Sequence, residues 1–465
     1  MAFVRSFGAA EVVTGSCHLL RLKSGIRILV DCGMFQGDEE EWNAAPFGFD
    51  PKKVDLLLIT HAHLDHVGRI PKLVKEGFEG TIVATKPTFE LAQVVLMDSA
   101  KLMEEEFRTR YRKAQRRGEE KQVPRPLYTV EDVENLFLLP HTYARYDKPL
   151  KVARGVRVLF RNAGHILGSA TIEIDFREDG VGKKIVFSGD LGTPHDIVTP
   201  YVADVPQADT LFIESTYGDR NHKSLKKSVR EFKEAVRKTL LNRGNVIIPS
   251  FAIERTQEVL CLLKQMYRSR ELPRCKVFLD SPMAIRATHL FSKYHHELGP
   301  ECRRFYKEDG DVFGFPWLRF TSDVEDSKRI NDIERGAVII AGSGMCTGGR
   351  ILHHFKNRLW NERNSVIFVG YQAAGTLGRH IVEGAQWVRI YNEDIRIRAK
   401  IHTINGFSAH ADQRELIGWM RRIGKLGKIA LVHGEKEKQI LFRKAIRKEL
   451  GKRAHIVRYN EKIFV

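Results

Sequence analysis

The strongest candidate for chemistry in this sequence is a short polar motif with four side chains able to bind a metal ion, His61, His63, Asp65 and His66. Residues 54–60 before it are apolar and rich in branched side chains, which predicts a buried strand, and a proline shortly after it predicts a helix. Neutral imidazole and carboxylate are ligands that borderline divalent metals prefer. Four such groups on one turn are more than a single ion takes readily. We therefore expect two ions to share this turn, rather than a histidine-rich surface turn without metal.

Further candidate ligands follow strand-like segments later in the chain, at His165, Asp190, His410 and His433. His165 follows a glycine, which leaves room for close approach to an ion. Asp190 follows a glycine at the end of a predicted strand, where its two oxygens can bridge two metals. Asp31 also ends a predicted strand; such a carboxylate can orient a ligand histidine from behind, and a solvated turn aspartate is the alternative.

Length and composition bound the class of protein. The chain has 465 residues, which corresponds to about three domains or fewer. Its formal net charge of +18 favours a polyanionic partner such as nucleic acid, but a thermophile's lysine- and arginine-rich surface accounts for it nearly as well. Six cysteines without a C-x-x-C pair predict reduced thiols in a cytoplasmic protein. We see no apolar stretch of membrane-spanning length and no cleavable leader, so we expect no membrane association.

A predicted helix over residues 87–117 continues into a strongly charged segment that begins within it. Its basic residues are Arg108, Arg110, Arg112, Lys113, Arg116, Arg117, Lys121 and Arg125. Glutamates are mixed among them. Such a run fits either a solvated helical arm or a contact with nucleic acid, and the sequence leaves both interpretations open.

In the second half of the chain, strand-like runs alternate with long helical stretches, which predicts a parallel sheet with helices on both faces. The strands are predicted over residues 246–249, 277–279, 338–341 and 366–369. Each run ends in a small or polar cluster. Because open α/β sheets bind ligands at the carboxyl ends of their strands, these clusters are candidate binding loops.

The glycine-rich loop over residues 342–350 is the clearest of these binding loops. Its glycines let backbone N–H groups approach an anion, the hydroxyls of Ser343 and Thr347 can donate, and Arg350 can hold a phosphate. Residues 375–379 offer a second set that includes Arg379. A glycine-rich turn without a ligand is the alternative. Neither segment resembles a Walker loop, so we predict no nucleotide cofactor.

Taken together, these motifs resemble those of a known family. The H-x-H-x-D-H motif after a hydrophobic strand resembles the signature of the metallo-β-lactamase superfamily. Glu214 in its I-E-S-T-Y-G context, the 342–350 loop, and segments 407–410 and 432–435 together resemble the β-CASP ribonucleases. That group includes the endonuclease subunit of the pre-mRNA cleavage and polyadenylation factor.

This resemblance implies both a fold and a site. The fold is α/β, an αββα metallo-β-lactamase sandwich formed by residues 1–214 and 391–465, with a β-CASP cap inserted at 215–390. One zinc ion would be held by His61, His63 and His165, and a second by Asp65, His66 and His433. Asp190 would bridge the two ions and Asp31 would support the ligands. Glu214 and His410 match the family's pair behind the leaving group, with His410 as the proton donor.

We therefore expect a zinc-dependent ribonuclease that hydrolyses phosphodiester bonds of single-stranded RNA, chiefly as an endonuclease. Accompanying 5′ exonuclease activity and formation of a homodimer stay open. A DNA nuclease of the same superfamily is disfavoured, since those relatives generally lack a histidine at the position of His433. A non-catalytic RNA-binding scaffold is disfavoured because inactive paralogues lose metal ligands and none is lost here. A thioesterase or lactamase would explain neither the cap nor the basic charge.

Overall fold

The computed structural model describes residues 1–194, 196–370, 372–373, 375–404 and 406–465. The chain forms two compact units. The first unit contains Met1–Thr193, Tyr201–Asn221 and His410–Val465, and the second contains Pro194–Pro200 and His222–Ala409.

Two seven-stranded sheets form the centre of the first unit. The strands of its first sheet, in spatial order, are Lys462–Phe464, Phe3–Ser6, His18–Arg21, Arg27–Val30, Leu56–Leu58, Thr81–Thr85 and His141–Ala144. Those of its second sheet are Ala454–Ile456, Lys425–Leu431, Gln207–Ile213, Val181–Phe187, Ala170–Glu178, Val156–Asn162 and Leu150–Ala153. Its α-helices are Leu64–Val67, Ile70–Lys75, Lys86–Gln115, Val130–Leu136, Gln413–Arg421 and Lys436–Leu450, and its 3₁₀ helices are Gly37–Asn43, Pro51–Lys53 and Glu120–Gln122.

The two sheets of the first unit pack face to face. Buried side chains of the first sheet, such as Val30 and Leu58, share one apolar cluster with Ile172 and Phe212 of the second. On the outer face of the second sheet, a separate cluster joins its strands to the two C-terminal helices of the unit. Alternating apolar side chains on each strand explain this sandwich, since each sheet buries one face against the other. The predicted α/β class is confirmed.

Parallel strands bring several chemically interesting residues to the same edges of these sheets. Arg27–Val30 runs parallel to Leu56–Leu58. In the second sheet, Gln207–Ile213 runs parallel to both Val181–Phe187 and Lys425–Leu431. The carboxyl ends of neighbouring parallel strands meet at one edge, so the short polar turns after these strands come together in space.

The second unit is built on a six-stranded sheet whose neighbouring strands all run parallel. In spatial order the strands are Leu318–Phe320, Lys276–Asp280, Ala337–Ala341, Val246–Pro249, Ser365–Phe368 and Lys400–Thr403. A two-stranded sheet adds Trp387–Ile390 and Glu393–Arg396. The α-helices are Leu225–Leu241, Arg255–Arg268, Pro282–Lys293, Pro300–Asp309, Val324–Arg329, Arg350–Arg358 and Leu377–Val382, and the 3₁₀ helices are His295–Glu297 and Ile330–Asp332.

The sheet that one strand joins was not predicted from the sequence. Strand Lys400–Thr403 lies beyond the predicted boundary at 390/391, yet it pairs with Ser365–Phe368 in the second unit. An apolar run predicts a strand but does not show which sheet that strand joins. The predicted domain limits 1–214, 215–390 and 391–465 stay a prediction.

None of the described helices combines the length and the apolar character needed to cross a membrane. All six cysteines are buried free thiols.

A buried polar network lies at the carboxyl end of strand Lys276–Asp280. The fully buried Asp280 accepts hydrogen bonds at 2.7 Å from Arg350 Nη1 and from Ser327 Oγ, and His354 Nε2 lies 2.7 Å from it. Burial raises the pKa of Asp280, but these partners outweigh burial and hold it below its usual value. The network therefore ties the strand end to helices Val324–Arg329 and Arg350–Arg358.

We predict that Asp280→Ala destabilises the protein by about 3–5 kcal/mol, because it leaves buried cationic and polar groups without their acceptor. Equilibrium urea unfolding measures the loss. The control is Asp326→Ala, which removes an exposed ion pair to Arg329 at 3.0 Å and should cost about 1 kcal/mol or less. Equal losses in the two variants would contradict a stabilising role for the network.

Candidate metal centre

The structure brings the predicted ligands of the first unit into one buried cluster. Two groups have ligand atoms that all lie within 4.8 Å of one another: His61, His63, His165 and Asp190 form one, and Asp65, His66 and His433 form the other. A third group of the same kind contains Asp190, Glu214 and His433. Residues that are up to 372 positions apart in sequence therefore converge on one point.

Asp190 lies between the two histidine groups. Its Oδ2 is 3.4 Å from His61 Nε2, 3.4 Å from His66 Nε2 and 3.6 Å from His165 Nε2. Its Oδ1 is 3.6 Å from His433 Nδ1. A carboxylate that faces both groups at such distances is placed to bridge two ions.

Several ring nitrogens in this cluster lie close to one another. His63 Nδ1 and His165 Nε2 are 3.0 Å apart, and His66 Nε2 and His433 Nε2 are 3.1 Å apart. Two buried atoms, His61 Nε2 and Asp190 Oδ1, have no hydrogen-bond partner among the described residues. Because buried polar atoms are normally satisfied, converging nitrogens and a partnerless carboxylate oxygen fit a bound cation.

The charge of the cluster also fits bound cations. Four carboxyl groups lie in it or against it, from Asp31, Asp65, Asp190 and Glu214. Burial raises the pKa of Asp190, but the surrounding histidines outweigh burial and hold it well below its usual range. Burial lowers the pKa of His63 to about 4, so its imidazole is neutral and free to act as a ligand. Two divalent cations would neutralise the four carboxylates.

Asp31 supports the cluster from behind. Its Oδ1 accepts the backbone N–H of Thr60 at 2.8 Å, and its Oδ2 accepts the Thr60 hydroxyl at 2.8 Å. The same Oδ2 lies 2.8 Å from His66 Nδ1, which leaves His66 Nε2 facing the cluster. Asp31 is thus placed to fix both the orientation and the tautomer of this ring.

The loop that carries His165 is held to the start of a long helix. Ser169 Oγ accepts the backbone N–H groups of His165 at 3.0 Å and of Ile166 at 3.2 Å. The carbonyl of Gly168 accepts the hydroxyls of Thr85 and Thr88, each at 2.7 Å. These two threonines cap and begin helix Lys86–Gln115, so that helix starts against the metal cluster.

Glu214 and His410 form a pair beside the cluster. Glu214 Oε1 accepts the backbone N–H of Leu191 at 2.6 Å, and its Oε2 lies 3.2 Å from His410 Nδ1. His410 Nδ1 is 3.9 Å from Asp190 Oδ2. Burial lowers the pKa of His410, but the carboxylates of Glu214, Asp190 and Asp65 together outweigh burial and raise this pKa to about 9. A protonated imidazole therefore lies beside the cluster.

The predicted phosphate-binding residues lie in the second unit. Ser343 Oγ is 3.2 Å from Thr347 Oγ1 and accepts the Thr347 backbone N–H at 3.0 Å, so these hydroxyls share one loop surface. Arg350 is engaged inside the unit by Asp280 and by the carbonyls of Thr321 and Ser322. Arg379 is exposed and its Nε donates to Glu383 Oε1 at 2.6 Å.

Three hydroxyl residues that support the ligands were not assigned a role from the sequence, Thr60, Ser169 and Thr216. Thr216 Oγ1 lies 3.1 Å from His433 Nδ1. Of these three, only Thr60 could have been assigned a supporting role from its position in the sequence, since it directly precedes the first histidine of the motif. The other two act through contacts that spacing along the chain does not show.

Three family models match the chain. The metallo-beta-lactamase superfamily model matches residues 10–242, the Beta-Casp domain model matches 256–381, and the Zn-dependent metallo-hydrolase RNA specificity domain model matches 394–457.

Similar proteins cover nearly the whole chain. Ribonuclease TTHA0252 of Thermus thermophilus is 42% identical, over 98% of this chain and 98% of its own length. An RNase J-like protein of Methanocaldococcus jannaschii is 32% identical, over 97% of this chain and 96% of its own length. The transcription termination factor FttA of the same organism is 31% identical, over 97% of this chain and 70% of its own length.

We predict that Asp31→Ala weakens Zn²⁺ binding by about 10–100-fold, because His66 loses the group that orients it. Competition with a chromophoric chelator measures this affinity. Asp50→Ala is the matched control, since Asp50 is an exposed turn residue whose side chain accepts from the Lys52 backbone N–H at 3.2 Å. An unchanged affinity in Asp31→Ala would show that Asp31 does not support the ligands.

Proposed function

Since the chain belongs to the metallo-beta-lactamase superfamily and to its β-CASP ribonuclease family, we propose that it is an RNA-processing hydrolase that cleaves single-stranded RNA chiefly within the strand. The observation that carries this proposal is the position of Asp190, which faces both histidine groups from one buried carboxylate. Such a double site suits phosphodiester chemistry, where charge develops on the attacking and the leaving oxygen.

Two zinc ions are the cofactors that fit this donor set best. His61, His63 and His165 would hold one ion, Asp65, His66 and His433 the other, and Asp190 would bridge them. Imidazole nitrogen and carboxylate oxygen are typical zinc ligands. When bound, a pair of ions acts as a Lewis acid toward a phosphoryl oxygen and lowers the pKa of the attacking water.

The chain's own residues supply the proton for the leaving group. Departure of a ribose oxygen from phosphorus leaves an alkoxide, which is a poor leaving group near neutral pH. His410 would donate a proton to this oxygen as the bond breaks. Glu214 would keep the imidazole oriented, since its Oε2 is 3.2 Å from His410 Nδ1 while its Oε1 is anchored by a backbone N–H.

The substrate would be held by the anion-binding loops of the second unit. Ser343, Thr347 and Arg379 offer donors to RNA phosphates, and Arg350 would act through the shape of its loop, because its guanidinium is already engaged by Asp280. The net charge of +18 favours a polyanionic substrate. Buried free thiols are in keeping with a cytoplasmic protein.

A side-by-side cleavage assay tests the proposed function. With zinc supplied, we expect linear and circular single-stranded RNA to be cleaved and DNA of the same sequence to be spared. Circular RNA has no ends, so its cleavage identifies endonuclease activity. Asp190→Ala serves as the inactive control. Preferential cleavage of DNA would point to a DNA nuclease of this superfamily, and tight RNA binding without any cleavage would point to a scaffold.

We also predict that His410→Ala lowers the cleavage rate by about 10²–10⁴-fold while it retains zinc and RNA binding. RNA with a bridging phosphorothiolate at the scissile bond, in which sulfur replaces the leaving ribose oxygen (O3′ when the product carries a 5′ phosphate, O5′ when it carries a 3′ phosphate), should recover much of that loss, because a thiolate leaves without a proton. Single-turnover kinetics on both substrates, with metal analysis of the variant, make the measurement. Loss of a zinc ion, or no recovery with the sulfur substrate, would exclude His410 as the proton donor.

A further inference from the structure

A basic segment extends the helix that starts at the metal cluster. We call residues 105–125 the basic arm; it contains the end of helix Lys86–Gln115 and the chain that follows it. No residue from 105 to 125 is buried. The first part of the same helix is different, since it buries apolar side chains such as Leu91 and Leu96. The arm therefore leaves the packed body of the first unit and lies in solvent.

Positive charge is concentrated in this arm. The arm contains eight lysines and arginines and four glutamates, a net charge of +4, and its part between Arg108 and Arg125 has a net charge of +6. The whole chain has a net charge of +18, so these eighteen residues hold a third of it. The net positive charge of the protein is therefore distributed unevenly along the chain.

Most of these cations have no acidic partner. Arg108 and Arg110 pair with Glu104 and Glu106 one helical turn earlier. The remaining six form no ion pair within the part of the chain that the structure describes: Arg112, Lys113, Arg116, Arg117, Lys121 and Arg125. Elsewhere on the surface, exposed cations such as Lys238 and Lys328 do pair with nearby glutamates.

Two structural explanations account for only part of this pattern. The dipole of a helix favours cations in its last turn, which covers Arg112 and Lys113. It does not extend to Lys121 and Arg125, which lie beyond the helix end. A heat-adapted surface is built from networks of ion pairs, whereas six of the eight cations of the arm are unpaired among the described residues. We therefore expect the unpaired cations of the arm to bind an external polyanion, which would neutralise their charge.

The arm also offers an aromatic surface. Tyr111 has 38% of its surface exposed, and its ring centroid lies 5.7 Å from that of Phe107. Proteins that bind single-stranded nucleic acid combine cations that follow the backbone with aromatic rings on which bases stack. This combination of cations and rings fits single-stranded nucleic acid.

The helix sets the distance between the arm and the metal cluster. Its start is held to the His165 loop through Gly168, and it continues for 30 residues. At about 1.5 Å per residue, its end lies ~45 Å from its start. A stacked single strand at about 3.4 Å per nucleotide covers that distance with ~13 nucleotides. A stacked RNA shorter than this cannot reach both places.

We propose that the basic arm binds the phosphate backbone of single-stranded RNA at a distance from the scissile bond, so that the protein holds long RNA more tightly than short RNA. This inference rests on the proposed function of the metal centre. The arm adds affinity and a length preference, and the chemistry stays with the cluster.

The test uses the full-length, zinc-loaded protein with Arg112, Lys113, Arg116 and Arg117 changed to Gln. Binding of a 30-nucleotide and a 6-nucleotide phosphorothioate RNA is measured by fluorescence anisotropy over a range of salt concentrations. For the 30-nucleotide RNA we expect a Kd about tenfold higher and a salt slope smaller by about 3, because four phosphate contacts contribute roughly 0.7 each. For the 6-nucleotide RNA, we expect the Kd of the arm variant to rise no more than the Kd of the control protein.

The control protein removes the same number of charges from cations that are already paired. Lys23, Lys238, Lys328 and Arg329 are exposed and pair with Asp179, Glu234, Glu325 and Asp326. Changing these four to Gln lowers the net charge by the same amount as in the arm variant. The affinity for long RNA should stay within about twofold of the wild type, because cations that are already paired at the surface interact little with further partners. Matching circular dichroism spectra and thermal midpoints show that both variants fold.

The outcomes separate the arm from the metal centre. Equal affinities and salt slopes in the arm variant and the control would overturn the proposal for the arm, whatever the cleavage activity. If the wild type binds long RNA through the arm but cleaves no RNA, the proposed function fails and the arm proposal stands. If only sedimentation with anionic phosphatidylserine vesicles is lost in the arm variant, the arm is a membrane contact and the RNA proposal is wrong.

Discussion

The burial of several like charges in one place is the constraint on which this structure depends. Asp190 lies between two groups of histidines, with Oδ2 facing His61 and Oδ1 facing His433, and Asp65, Asp31 and Glu214 surround the same point. Without cations such a cluster carries a large desolvation cost, because carboxylates are crowded together away from water. Bound divalent cations would turn this arrangement from a repulsive cluster into a stable one, which would link metal binding to formation of the native site.

The sandwich of sheets explains how so many ligands reach one point. Each comes from a turn at or near the carboxyl end of a strand, and parallel neighbours bring those ends to a common edge. The supporting groups make these positions rigid: Asp31 orients His66, and Ser169 holds the loop of His165. Sites supported in this way place their reacting groups more precisely than mobile loops do.

Sequence reasoning succeeded where the information is local. The H-x-H-x-D-H spacing indicates a metal site from six residues, and the alternation of apolar strands and helices predicts the parallel sheet of the second unit. It missed what depends on distant partners. It gave no sign that Asp280, 70 positions earlier, engages the guanidinium of Arg350, whose phosphate contact stays a prediction. Contacts between distant residues also determine the roles of Thr60 and Thr216. They likewise determine which sheet Lys400–Thr403 joins, and no periodic pattern in the sequence shows these contacts.

A crystal structure of the zinc-loaded protein, with anomalous scattering recorded on both sides of the zinc edge, tests the central claim most directly. Two zinc peaks should lie about 3.5–4 Å apart. One should be bound by His61, His63 and His165, the other by Asp65, His66 and His433, with Asp190 between them. A single peak, or peaks only at histidines outside this cluster, would contradict a two-metal centre built on Asp190.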